Sequence, residues 1–342
     1  MSGTYYDPDN LIPCNATMAA LVDSAVGLTN RYLTTAQYTA AAYCRLTSDN
    51  ATLAAEAEGV WITGSSYGYV PSSGFALFAA VMFGLSAALH LYQLIRARRW
   101  SYIVVLLGAA LQIFGWVERY YASSDVSVGF VEQLAVLTIA PTFFSAAMYT
   151  LFSILAAAEG PDLLPFMKPR GYMWTFIVID FCTLVIQAAG GAIAAITDDS
   201  VVFKQGSNVM LSGIVLQFVT TLVFASVFAV FFRRLHVQHG SVVFSLRMGT
   251  GIVFAGTVAM IVFIVIRAGY RIAELSEDLF SGVAHNQAAL IACDCIPMLF
   301  VIYLLNWTHP LHTIKSSASV SYRARSHSFN LEKATESGEA RR

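Results

Sequence analysis

Charge is what this chain has least of. Charged side chains make up 12% of its 342 residues and hydrophobic ones 57%, whereas water-soluble domains carry roughly 25% charged residues. That balance excludes a soluble domain and defines a membrane protein. Lysine is scarcest: Lys168, Lys204, Lys315 and Lys333 are the whole set, and all lie outside the long apolar runs. A retinal Schiff base needs an amine inside the membrane, so that chemistry is excluded. Clustered histidines are missing too. His90, His285, His309 and His312 divide between opposite ends of the apolar segments, which counts against the three-ligand centre of a seven-helix zinc hydrolase and leaves a membrane-embedded hydrolase as the weaker rival reading. There is no Gly-rich phosphate loop to support ATP-driven pumping. The reading is a protein without catalytic residues, metal or other cofactor, and without a nucleic-acid partner. Residues 1–10 have no basic start and no apolar run, so no signal peptide is expected there.

What is abundant is long apolar sequence. Seven segments, near 74–95, 101–121, 130–157, 172–196, 209–232, 250–272 and 286–307, can each cross a hydrocarbon core of about 30 Å. Glycines and prolines inside them, such as Gly115, Pro141, Gly190 and Pro297, do not argue against helices, because membrane bundles use small residues for close packing. The expected fold is all-α, a polytopic seven-helix bundle over residues 74–310. Residues 1–73 read as a polar, irregular extracellular segment, and 311–342 as a Ser-rich, mixed-charge tail that stays disordered.

Orientation follows from the basic residues. Arg96, Arg98, Arg99, Lys168, Arg170, Arg233, Arg234 and Arg247 occupy the three loops on one side, together with the C-terminal tail. Fourteen of the 20 basic residues fall on that side and six on the other, so the N-terminus is expected outside and the C-terminus inside. The same orientation puts Asn15-Ala16-Thr17 and Asn50-Ala51-Thr52 outside, where both can accept N-linked glycans. Cys14 and Cys44, the only cysteines outside apolar segments, also fall there, as one disulfide or as two free thiols. Asn306-Trp307-Thr308 has the same triplet form at the inner face and is discounted.

Within the apolar segments the few polar residues carry the functional argument. Arg267, Arg271 and Glu274 are spaced i, i+4, i+7, which puts them within an arc of about 60° on a helix. Each charge near a bilayer centre costs roughly 2.5–3.5 kcal/mol on insertion scales, so the stripe is expected to face a bundle interior. The alternative is that Arg267 snorkels to the boundary. Asp180 lies about 12 Å into the fourth segment with Gln187 on its face, and Asp294 lies one turn before Pro297. Glu118, Arg119, Gln133 and Gln217 complete the set. Four acids face three arginines, so mutual pairing leaves one carboxylate over. Two readings follow: a network that fixes helix registry, or a polar, outward-opening cavity that takes an amphipathic lipid ligand.

The order of these residues resembles the fungal lipid-translocating exporter family, also called aminocholesterol-resistance-like. The resemblance runs over residues 69–310. It rests on Tyr69-x-Pro71, His90, Gly115-x-x-Glu118-Arg119, Gln133 with Ala140-Pro141 and Tyr149, and Asp180 with Gln187-x-x-Gly190. Gly213 with Gln217, Arg267-x-x-Tyr270-Arg271-x-x-Glu274, Asp294-x-x-Pro297-Met298 and His309-Pro310 complete it. The resemblance implies seven helices and export or flipping of sphingoid long-chain bases or phospholipids at the plasma membrane, giving resistance to toxic amphiphiles. A seven-helix lipid receptor signalling through its inner loops is the alternative. The chain departs from the family pattern where Asn286-Gln287 replaces a His-Glu pair, and where Ile291 replaces an aromatic.

The expected topology has a direct test. Glycosidase treatment should increase gel mobility, and a C-terminal tag should be accessible only after permeabilisation. A tag that is exposed on intact cells would reverse the assignment.

Overall fold

The computed structural model describes residues 13–26, 35–64, 67, 69–98, 102–123, 130–195, 200–239, 248–276 and 286–309. The 311–342 tail, His285 and His312 lie outside the described residues. Among those described, every regular element is helical. Three short helices, α1 (Ala16–Ala25), α2 (Thr35–Thr47) and α3 (Ala51–Gly64), precede seven long ones. These are α4 (Ser73–Ala97), α5 (Ile103–Ala122), α6 (Phe130–Glu159), α7 (Pro169–Ala195), α8 (Ser200–His239), α9 (Met248–Ser276) and α10 (Gln287–Trp307). All seven are long and apolar enough to span a membrane; the protein is a multi-pass membrane protein. Apolar side chains such as Leu77, Phe78, Val81, Phe181, Val219 and Val223 remain exposed on the bundle's outside. Around a water-soluble protein that belt would be costly, and against lipid tails it is not.

The N-terminal segment differs from its expected irregularity. Its many alanines have the highest helix propensity, and in this segment that outweighs the lack of apolar periodicity. Both triplet asparagines are helix caps. Asn15 Oδ1 accepts from the Met18 amide at 2.9 Å, and Asn50 Oδ1 accepts from the Thr52 amide at 3.0 Å. Such caps satisfy amides that a helix start leaves open. Alanine cores bury little apolar area, and a cross-link makes up the difference: Cys14 and Cys44 form a disulfide across a separation of 30 residues. A loop of that length loses about 3–4 kcal/mol of unfolded-state entropy on closure. Val22, Ala41, Cys44, Val60 and Tyr67 pack with Ala122 at the end of α5, so this small three-helix unit caps one end of the bundle.

In the bundle α6 is central and buried on nearly every side, with Phe144, Met148, Tyr149 and Phe152 in the core. Toward the end away from the cap, aromatic rings fill the interior: Phe152 meets Phe224 edge-on at 5.4 Å, and Phe228 stacks on Phe254 at 4.6 Å. Such ring pairs add to burial through quadrupole geometry. The fifth span is much longer than the expected 209–232. Residues 200–208 and 233–239 also continue the helix, because Lys204, Arg233, Arg234 and His236 interrupt the apolar pattern without breaking helical backbone.

Helices α7 and α8 approach until backbones touch. A Cβ on Gly190 would lie 2.4 Å from the Met210 nitrogen, and one on Gly206 would lie 2.8 Å from the Gly190 oxygen. Gly213 meets the Gln187 side chain and the Thr183 carbonyl in the same way. In lipid, where apolar burial between helices gains little, such close approach supplies dispersion contact. Gly190→Ala should therefore lower the thermal midpoint by several degrees, an overpacking cost of about 1–3 kcal/mol. Gly84→Ala, which meets nothing within 4 Å, should leave it unchanged. Fluorescence-detected size exclusion after heating reads both, and equal midpoints for the two variants would refute the close-packing account.

Candidate functional site

The charged stripe of α9 faces inward. Arg267, Arg271 and Glu274 are all buried, as is Asp294 of α10. Arg271 holds Asp294 with two parallel bonds, Nε to Oδ1 at 3.0 Å and Nη2 to Oδ2 at 2.9 Å. Its Nη1 donates to Glu274 Oε2 at 2.7 Å, and the Tyr270 hydroxyl donates to Glu274 Oε1 at 3.2 Å. Arg267 Nε lies 3.0 Å from Asp294 Oδ1. The group is formally neutral, two guanidiniums with two carboxylates, and the planar fork suits a carboxylate as no ammonium would. Snorkelling of Arg267 does not occur.

Pro141 explains where the rest of Arg267 goes. Proline has no N–H, so the carbonyl of Leu137, four residues earlier, loses its helical partner. Arg267 Nη2 donates to that oxygen at 2.6 Å. One guanidinium thus links a carbonyl freed on α6 to a carboxylate on α10. Sequence reading treated Pro141 as compatible with a helix and stopped there; a proline inside a span also signals a donor on a neighbouring helix. Asp294 itself sits in a π turn over Ile291–Cys295, just before Pro297. The wider turn inserts one residue and re-aims the side chains that follow.

Arg119 does not join this network. Its partners are Gln133 Oε1 at 3.3 Å from Nη1, the Tyr69 hydroxyl bonded to Nη2, and the faces of Tyr67 and Tyr69 at 5.6 and 5.5 Å from its Cζ. Tyr67 donates to the same Gln133 oxygen at 2.8 Å. Burial pushes the Tyr67 phenol well above its ordinary pKa against the opposing pull of Arg119, so it remains a donor. Arg119 is therefore a buried cation held by amide and aromatic groups at the junction of cap and bundle. Its sequence neighbour Glu118 is only half-buried and does not pair with it.

Asp180 is the carboxylate left over. It is 1% exposed; its Oδ2 accepts from the Tyr149 hydroxyl at 3.0 Å, and its Oδ1 has no hydrogen-bond partner. No basic side chain pairs with it among the described residues. Gln187 and Gln217 form a separate chain, Gln187 Nε2 to Gln217 Oε1 and Gln217 Nε2 to Thr142 Oγ1, both at 3.0 Å, which ties α7 to α8 and α6. Glu118 apart, the expected site residues separate into four groups: the ionic network, the Arg119 box, the Asp180–Tyr149 pair and the amide chain.

Sequence reasoning missed the partners more than the charges: the Leu137 carbonyl, Thr142 and Tyr67. It also missed a seam between α4 and α10, in which His90 meets the Ile302 carbonyl at 3.2 Å and Asn306 Nδ2 donates to Ser86 Oγ at 2.5 Å. The divergent pair at the seventh span has local work: Asn286 caps α10 by accepting from Ala289, and Gln287 Oε1 accepts from the Ser72 amide. Among the described residues, no three His, Cys, Asp or Glu side chains converge as a metal site.

A seven-span bundle braced by an internal ionic network is the class of protein in hand. The chain belongs to the RTA1-like protein family, whose model matches residues 105–317. It is similar to a Saccharomyces cerevisiae protein named sphingoid long-chain base transporter RSB1, 26% identical over 174 residues, 50% of this chain and 46% of that one. It is also similar to the RTM1 protein of Saccharomyces cerevisiae, 26% identical over 204 residues, 58% of this chain and 64% of that one. With RTA1 of the same organism it shares 23% identity over 219 residues, 63% of this chain and 67% of that one. The chain spans about half the length of the transporter-named relative. No solved structure matches it.

The network predicts a ranking. Asp294→Asn removes the carboxylate shared by both arginines, at about 3–5 kcal/mol, and should abolish folded protein in detergent. Arg267→Ala should be worse than Arg267→Lys, since a lysine can reach either the carboxylate or the freed carbonyl but not both. A Lys variant whose thermal midpoint equals that of the parent would show that the bridge between α6 and α10 is dispensable.

Proposed function

We propose that the protein is a transporter, not an enzyme, that moves amphipathic lipids across the membrane, with sphingoid long-chain bases as the first candidate. The observation that carries this reading is the open oxygen of Asp180. A carboxylate in a low-dielectric interior without a cation is strongly disfavoured unless a partner arrives or it takes a proton. A protonated amine is such a partner, and the aliphatic tail of a long-chain base suits the apolar surroundings. Tyr149 holds one oxygen of the acid and leaves the other for the ligand. Family membership and the name of one relative support the same ligand class.

In this reading the Arg267–Arg271–Glu274–Asp294 network is scaffold, because its charges already satisfy one another. Glu118, Arg119, Gln133, Gln187 and Gln217 bound the ligand's path rather than neutralise it. The plasma membrane, with glycans on Asn15 and Asn50, fits a protein that exports toxic amphiphiles.

The test is reconstitution into liposomes with labelled sphingoid base. Asp180→Asn keeps size and hydrogen-bonding capacity but removes the charge. It should reduce movement of the base to background while the protein remains folded. Normal movement per folded molecule in the Asn variant would remove Asp180 from the mechanism. Loss of folded protein without loss of specific activity would make it structural.

A further inference from the structure

Among the described buried acids, Asp180 alone lacks a cation; Glu274 and Asp294 both hold Arg271. The groups that face Asp180 are neutral on every side. From α6 comes Tyr149, with Ser145 and, from α8, Thr221 beside the same hydroxyl. On its own helix Phe176 lies one turn further from the cap, and Thr183 Oγ1 donates to the Asp180 carbonyl at 2.8 Å. The other buried charges do not reach it: the ionic network satisfies itself, and Arg119 is held in its tyrosine box. Tyr149 has one proton to donate and spends it on Oδ2, so Oδ1 stays open.

The acid also lies on a boundary. On the side away from the cap, Tyr149, Phe176 and Phe224 close against one another. The Tyr149 ring centroid is 5.3 Å from Phe176 and 4.7 Å from Phe224, and those two are 5.4 Å apart. Rings in mutual contact at such separations exclude water. On the cap side, about 10 Å along α7, Gln187 bonds Gln217, which bonds Thr142, and Gln187 Oε1 has no partner. The open oxygens of Asp180 and Gln187 are both acceptors. They suit a ligand that brings positive charge or N–H and O–H donors.

An ionised Asp180 with nothing beside it is the form that this interior tolerates least. Two forms remain, the neutral acid and the carboxylate paired with an ammonium. Both occupy the same oxygen, so each excludes the other. We propose that the protein is a proton-coupled exchanger. An ammonium-bearing lipid displaces the proton of Asp180, and a proton from the opposite side of the membrane later displaces the lipid. The step balances: the ammonium and the Asp180 carboxylic acid give the carboxylate–ammonium pair and one free proton, and release reverses this across the membrane. One positive charge moves each way, so a pH gradient drives the movement and a membrane potential does not. The inference rests on the reading of Asp180 as an ammonium site and adds its coupling ion and energy source.

N,N,N-trimethylsphingosine is the probe that tests it, because its charge does not titrate. The full chain in lightly buffered detergent at about pH 6, where an ordinary aspartate is ionised, should release about one proton per probe bound. Apparent affinity should rise about tenfold per pH unit while the empty acid still holds its proton. Asp180→Asn should release none and bind weakly at every pH. In liposomes, probe added outside should make the interior more alkaline, at a rate that an imposed potassium-diffusion potential leaves unchanged. Binding that needs Asp180 but releases no proton and ignores pH would overturn the exchange and leave the ammonium site standing. Equal binding by the Asn variant and the parent would remove both. Movement accelerated by an inside-negative potential, with no change of interior pH, would also overturn the exchange.

Discussion

Inside a lipid bilayer a backbone carbonyl or a charge has no water to fall back on, and this chain meets that constraint with one guanidinium doing two tasks. Arg267 takes up the carbonyl that Pro141 releases on α6 and, at its other edge, shares Asp294 with Arg271. Without Arg267 the freed carbonyl would be buried with no donor, and Asp294 would keep Arg271 as its one cation. Together they fix α6, α9 and α10 at a common level, and the remaining helices are arranged around that fixed centre.

A second cation performs a different task at the end of the bundle. Arg119 is held by tyrosines and an amide, and Tyr67 belongs at once to its box and to the core of the cap. The disulfide at Cys14 and Cys44 stiffens the cap, and the Arg119 box transmits that stiffness to α5 and α6. The cap is therefore part of the bundle's polar architecture, even though its own core is little more than alanine.

The seven spans were legible because lipid imposes a long, nearly uninterrupted apolar signal. The inward stripe of α9 was legible because two arginines and an acid at helical spacing have one tolerable direction to face. The N-terminal helices were not, since alanine is neutral in any apolar periodicity and carries only propensity. The separation of the polar residues into four groups was not legible either. Depth along a helix places Arg119 and Arg267 at similar levels, but only rotation and neighbouring side chains decide that one meets tyrosines and the other a carboxylate. The donor required by Pro141 was implicit in the chain, for a proline inside a span always leaves a carbonyl four residues back, yet nothing local says which helix answers it.

The contact between α7 and α8 has a mechanical meaning. Where Gly190, Gly206 and Gly213 let backbone lie against backbone, a slide of one residue would drive a side chain into a main chain, so the two helices behave as a single plate. The joint with α6 is of another kind, made by side chains: the Tyr149 hydroxyl bonds Asp180, its ring packs on Phe176, and Gln217 of α8 bonds Thr142. Asp180 therefore lies on the edge of that plate which faces α6, away from the glycine contact that locks the plate together.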